Sequence, residues 1–196
     1  FSYRDRCPQA EQTFPVPKSY SGSAKDSLAL RNAYDNAIVA TDRFLASVIE
    51  LLRAQACPAS MLYISDHGED VYDDARERFL HSSPDISYYQ LHVPMLLWMS
   101  PAYREAYPHL VATAQANQRR PISTNAVFPT MLELAGIRTR YRRDSLSVVS
   151  SSLRTGTRYY LNDRYACVPL EALDLAEEDV CLFQKKGLQL PLPSCP

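Results

Sequence analysis

The apolar run Met61-Leu62-Tyr63-Ile64, broken off by Ser65-Asp66-His67-Gly68-Glu69, constrains this chain more than any other stretch. Four consecutive apolar residues with polar flanks read as a short buried strand. In an open α/β sheet, ligands gather beyond the carboxyl ends of strands. A carboxylate and an imidazole stand side by side at such an end here. Adjacent oxygen and nitrogen donors suit a borderline cation such as zinc. Gly68 frees the backbone to turn, so that both side chains point at one centre. An isolated Asp-His-Gly is more often a polar strand end entering a turn, so the flanking sequence has to decide.

A helix precedes this strand. Tyr34, Ala37, Ile38, Thr41, Phe44, Leu45, Val48, Ile49 and Leu52 recur at spacings of three and four. That spacing predicts a helix from about residue 28 to residue 53, with these residues facing the core. Ser27 or Asp26 is placed to cap it, and Asp35 and Asp42 fall on the solvent face. A second strand is expected over residues 93–99, opened by Pro94 and closed by Ser100-Pro101. A short helix is expected within residues 101–118. Another runs from Ser123 or Thr124 to Ala135, with Pro129 in its early turns and Gly136 as its stop. Residues 157–162 are a third strand candidate. This alternation is the rhythm of an α/β domain with a parallel sheet and helices outside. Residues 1–27, interrupted by Pro8, Pro15 and Pro17, read as an arm or connection ahead of one α/β domain over residues 28–196. Residues 70–90 read as a long polar loop at the functional edge, and they contain His81. The proline-rich end from Leu188 is expected to lack regular structure.

Composition narrows the function. A formal charge of −1 carries no basic excess of the kind nucleic acid attracts. No apolar run approaches the roughly 20 residues that span a bilayer. Five cysteines suggest an oxidising compartment, and their odd number leaves at least one unpaired within the chain.

Four segments, in order, resemble the alkaline phosphatase and sulfatase superfamily, and more narrowly the soluble domain of bacterial phosphoethanolamine transferases. They are residues 32–38 with Thr41-Asp42, the metal motif at residues 64–69, residues 92–101, and residues 123–137. The resemblance implies a three-layer α/β/α, alkaline-phosphatase-like domain with a mostly parallel central sheet. It places the domain at the periplasmic face of the bacterial inner membrane, held there by an N-terminal membrane region. It implies zinc as cofactor, phosphatidylethanolamine as donor, and a hydroxyl of lipid A, a core sugar or another glycan as acceptor. A threonine would attack the donor phosphate and form a covalent intermediate.

Residue by residue, Asp66 and His67 match two zinc ligands of the family. His81 matches a histidine that helps hold the phosphate or a second metal. Glu69 matches the motif's acid and takes an orienting role through hydrogen bonding. His92 falls just ahead of the second strand in a structural role, and His109 matches nothing. With a periplasmic setting, Cys167 and Cys181 are the first candidates for a disulfide.

In the family, the nucleophilic threonine, an early acidic ligand and a further active-site histidine all precede the helical segment at residue 32. The arm has no histidine, and Thr13, before Phe14-Pro15, is not at a strand-to-helix turn. The chain is therefore expected to be the C-terminal part of the domain, with the nucleophile upstream of Phe1 and no transfer by the piece alone. A sulfatase would need Cys or Ser followed by x-Pro-x-Arg. The nearest match, Cys167-Val168-Pro169-Leu170-Glu171, ends in Glu and follows the metal motif. A phosphoglycerol transferase of the same superfamily would share these segments, and a non-catalytic module that binds a partner or glycan would share the fold without the chemistry. Arg138, Arg140, Arg142 and Arg143 read as a solvated loop, or as a basic cluster that meets lipid phosphates.

Overall fold

The computed structural model describes residues 3–81, 86–162 and 164–187, without the side chains of Arg4 and Asp5. Its elements, in chain order, are α1 (Ser27–Arg53), β1 (Ser60–Ile64), β2 (Asp70–Val71), β3 (Phe79–Leu80), α2 (Tyr88–Leu91), β4 (Met95–Met99), α3 (Pro101–Ala106), α4 (Pro108–Asn117), α5 (Val127–Leu134), β5 (Tyr159–Leu161), β6 (Cys167–Pro169) and α6 (Glu177–Lys185). The chain divides into two compact units. One comprises Phe1–Ala54 with Glu69–His81, the other Gln55–Gly68 with Ser82–Pro196. No helix of the described residues is long and apolar enough to cross a membrane.

The first unit is built on α1. Neither glycine nor proline occurs from residue 27 to residue 53, so nothing interrupts the helical hydrogen-bond ladder. Its buried residues are Ala29, Leu30, Ala33 and Asn36. Ile38 and Phe44, expected in the core, are 52% and 64% exposed. Periodicity finds an apolar face but not its cover. The arm and β2 lie against this helix, and its buried residues all come before residue 37. Asp26 occupies the N-cap position without capping. Its carboxylate instead accepts from the N–H and the Oγ of Ser21, each at 2.6 Å. Those bonds hold its pKa below the ordinary carboxylate value.

The arm is pinned to α1 by one buried amide. Asn36 Oδ1 accepts from the N–H groups of Thr13 at 2.8 Å and Phe14 at 3.0 Å, and its Nδ2 donates to the Phe14 carbonyl at 2.8 Å. Asn36→Ala strands all three backbone groups. It is expected to lower stability by about 1–3 kcal/mol and to open the arm to proteolysis near Phe14. An unchanged urea midpoint and cleavage pattern would contradict this. Farther along, β2 and β3 form a small antiparallel ladder, Asp70 opposite Leu80 and Val71 opposite Phe79. Tyr72 stacks on Phe79 with ring centroids 5.3 Å apart. This hairpin stands where the sequence suggests only a loop.

The second unit holds β1 and β4. They pair antiparallel, Ser60 opposite Met99 and Ile64 opposite Met95, and the other two ladders among the described residues are antiparallel as well. The chain is α/β, as expected, but the mostly parallel sheet is not found in these ladders. Parallel neighbours require a crossover. Here the chain leaves β1 at Ile64 and returns beside that same end at Met95. Met99, Tyr103, Leu110, Leu134 and Val149 form the core below this sheet, flanked by Leu97, Val111, Ala114 and Val148. Ser100 Oγ accepts from Tyr103 N–H at 3.1 Å and caps α3, with Pro101 in the first turn.

The single helix expected within residues 101–118 is two. Pro108 drives Tyr107 out of the helical region, to φ −130° and ψ 54°. α5 begins at Val127 after a 3₁₀ turn, later than the Ser123 or Thr124 start. It ends as expected, with Gly136 at φ 66° and Ile137 N–H on the Leu132 carbonyl at 2.8 Å. β5 matches the third strand candidate, whereas β6 and α6 lie where the sequence carries no clear period. Glu177, Glu178 and Asp179 in the first turn of α6 and Lys185 in its last complement the helix dipole. The stretch from Leu188 lies outside the described residues.

Cys7, Cys57 and Cys167 are free thiols. The expected Cys167–Cys181 bridge is therefore not formed. Cys181 is disulfide-bonded, but to none of these three. Sequence proximity fails here because Cys167 is an exposed residue of the β5–β6 ladder, where Leu161 is its cross-strand neighbour. In the arginine-rich loop, Arg142 pairs with Glu133 at 3.1 Å and with Asp144, and Arg140 lies over the Tyr141 ring at 4.8 Å.

Candidate functional site

β1 delivers Asp66 and His67 to its carboxyl end. Ser65 Oγ donates to the His67 carbonyl at 2.7 Å, and His67 N–H donates to Asp66 Oδ1 at 3.1 Å. These local bonds turn the acid and the imidazole to one side, with Asp66 Oδ2 3.9 Å from His67 Nε2. The Asp66 side chain is 89% exposed and that of His67 40%. A tetrahedral zinc with bonds of about 2.0–2.1 Å sets its ligand atoms about 3.4 Å apart, so a small closure brings these two to that spacing. The other imidazole nitrogen, Nδ1, lies 2.9 Å from the Gly68 carbonyl oxygen.

Gly68 serves a different purpose from the one its sequence position suggests. It is not among the glycines in the left-handed region. What it provides is room: a Cβ there would sit 1.9 Å from the Tyr89 carbonyl oxygen. The absent side chain lets Gly68 N–H donate to the Gln90 carbonyl at 2.9 Å.

In the first unit, the β2–β3 register places Glu69 opposite His81, one step beyond the Asp70–Leu80 pair. Glu69 Oε1 lies 2.9 Å from His81 Nδ1. The Glu69 side chain is 9% exposed and that of His81 38%. Leu80, next to the histidine, has φ 72°, a strained conformation for leucine that sets the direction in which His81 leaves the strand. The Tyr3 ring packs edge-on against Tyr34. Burial first, and then the neighbouring Glu69 carboxylate, raise the Tyr3 hydroxyl's pKa far above the usual phenol range. The sequence motif points to Glu69 but not to the hairpin that carries His81 to it. The hairpin's only trace is the apolar pairs Val71-Tyr72 and Phe79-Leu80 around a polar turn.

Asp66 and His67, at the end of β1, fit zinc. The donors are a carboxylate oxygen and an imidazole nitrogen, 3.9 Å apart. His92 does not join this chemistry. Its Nδ1 lies 2.6 Å from the Tyr88 hydroxyl, and burial, with Lys186 second, lowers its pKa. His109 lies exposed in the first turn of α4, where its carbonyl accepts from Thr113 Oγ1.

Three comparisons with known proteins bear on this site. The chain is 34% identical over 120 residues to phosphoethanolamine transferase EptA of Salmonella typhimurium, covering 57% of this chain and 21% of that protein. It is 32% identical over 124 residues to the Kdo(2)-lipid A phosphoethanolamine 7''-transferase of the same organism, covering 62% and 21%. In structure it is similar to the C-terminal periplasmic domain of EptC from Escherichia coli in complex with zinc. That match has a TM-score of 0.72 and 26% identity, and covers 88% of this chain and 49% of that one. The chain thus spans about a fifth of the length of these curated relatives and about half of the solved domain. Residues 1–137, well over half of the chain, match the family model described as sulfatase, and the chain belongs to the sulfatase family.

Proposed function

We propose that this chain is part of a zinc-dependent transferase that moves phosphoethanolamine from phosphatidylethanolamine to a hydroxyl of lipid A, a core sugar or another glycan. On this reading it works at the periplasmic face of the inner membrane. The observation that carries the reading is the Asp66–His67 pair at the end of β1, in a chain whose relatives are named for phosphoethanolamine transfer. Asp66 and His67 hold the metal, which lowers the pKa of an oxygen nucleophile and offsets phosphate charge. His81 meets the phosphoryl oxygens through Nε2, and Glu69 orients its ring through Nδ1.

The nucleophile is a threonine, and this reading places it upstream of Phe1. The Oγ1 atoms of Thr41 and Thr113 donate to carbonyls one turn back in their helices, and Thr130 is fully buried. Thr13 sits in the arm, with its N–H held by Asn36. A sulfatase mechanism lacks its formylglycine signature here, because Glu171 stands where arginine is needed. The test incubates the longer protein, upstream sequence included, with zinc and phosphatidylethanolamine, then maps adducts by peptide mass spectrometry. A phosphoethanolamine adduct on a threonine upstream of Phe1 is expected. An adduct on a threonine within residues 1–196, or none at all, overturns this assignment.

A further inference from the structure

The geometry points to α2 and α6 as a scaffold that fixes the tautomer of His67, with Gly68 and Asp179 as positioning residues for the metal ligand. This inference rests on the proposed role of His67. It begins with the imidazole. His67 Nδ1 lies 2.9 Å from the Gly68 carbonyl oxygen. A carbonyl oxygen only accepts, so Nδ1 must carry the proton. The lone pair is then on Nε2, the nitrogen 3.9 Å from Asp66 Oδ2. Metal-bound histidines are commonly held this way, through a hydrogen bond from the nitrogen that does not bind.

The contact lasts only while the Gly68 peptide keeps its orientation, and α2 sets that orientation. Gly68 N–H donates to the Gln90 carbonyl at 2.9 Å, while the Tyr89 carbonyl oxygen occupies the space a Cβ would need. One peptide unit is therefore anchored by α2 on its nitrogen, and the next presents its oxygen to His67.

α2 is four residues long, too short to persist unaided. Ser87, fully buried, caps it by accepting from Gln90 N–H at 3.1 Å. Asp179 of α6, also fully buried, accepts from Tyr88 N–H through Oδ1 at 2.9 Å. The Tyr88 ring packs edge-on against Phe183, with centroids 4.9 Å apart. Direct contacts thus run from α6 through α2 and Gly68 to the proton on His67.

The test uses the protein labelled with 15N-histidine. Its four histidines are assigned by substitution, and tautomers are read from long-range nitrogen–proton couplings. Zinc affinity is measured in parallel by competition with a chromophoric chelator. In the unsubstituted protein, neutral His67 is expected as the Nδ1–H tautomer. Gly68→Ala and Asp179→Ala are expected to mix the tautomers and to weaken zinc by about 10–100-fold, with cooperative unfolding retained. Asp179→Asn keeps a carbonyl acceptor and is expected to restore most of both. An Nε2–H tautomer in the unsubstituted protein overturns the inference, and that measurement needs no variant to fold. Unchanged tautomer and affinity in both Gly68→Ala and Asp179→Ala overturns it as well. If the Nδ1–H tautomer is present but zinc does not bind, the metal reading has failed while the scaffold stands.

Discussion

Asp66→Ala and His67→Ala are each expected to abolish zinc binding and transfer together. Two donors at the end of one strand form a unit, and a tightly held zinc takes at least three ligands from protein. Removing either donor therefore costs more than the about 10–100-fold typical of outer contacts. Neither side chain is buried: that of Asp66 is 89% exposed and that of His67 40%. The bonds that Ser65, Asp66 and Gly68 make with His67 are local to the turn. Exposed substitutions of this kind typically change stability by within about 0.5 kcal/mol, so the melting of the metal-free protein should barely move. The measurement is elemental analysis of each purified variant alongside turnover of a labelled lipid donor. Full zinc occupancy in both variants would end the assignment. A lost fold in either would show that the motif is structural.

The elements with long, regular periods are legible from sequence. α1 declares itself through nine residues at three-and-four spacing and an interior free of glycine and proline. β1 and β4 do so through continuous apolar runs, and the end of α5 through Gly136. What escapes depends on partners distant in sequence. β2 and β3 are two residues each, too short for any period to show, yet their register sets Glu69 against His81. Gly68 reads as a turn glycine, but what requires it is the carbonyl of Tyr89, 21 positions on by the numbering. Asn36 reads as one more helical polar residue, although it holds the arm by three hydrogen bonds. Ile38 and Phe44 keep the helical period and are still exposed, because period reports a face and not its neighbour. The antiparallel pairing of β1 with β4 follows from where the chain returns, which the composition of neither strand records.

His81→Ala is expected to reduce transfer by about 10²–10³-fold, the range for removing one donor aimed at developing charge, while leaving most zinc in place. That separation distinguishes a phosphate-facing residue from a primary metal ligand. The ring is aimed by its surroundings: Glu69 holds Nδ1 at 2.9 Å, and Leu80, at φ 72°, sets the direction of departure. Glu69→Gln is the sharper companion. A glutamine oxygen can still accept from Nδ1–H, so the ring keeps its orientation, but the buried negative charge is gone. If Glu69 only orients, the glutamine variant retains most of the rate. If its charge matters, through His81 or through the neighbouring Tyr3 hydroxyl, the variant falls towards the alanine level. Rate and zinc content measured together on His81→Ala, Glu69→Gln and the double variant decide the matter. Equal losses in all three, with zinc retained, make the pair one functional unit. Loss of zinc from His81→Ala alone would instead move His81 from the phosphate to the metal.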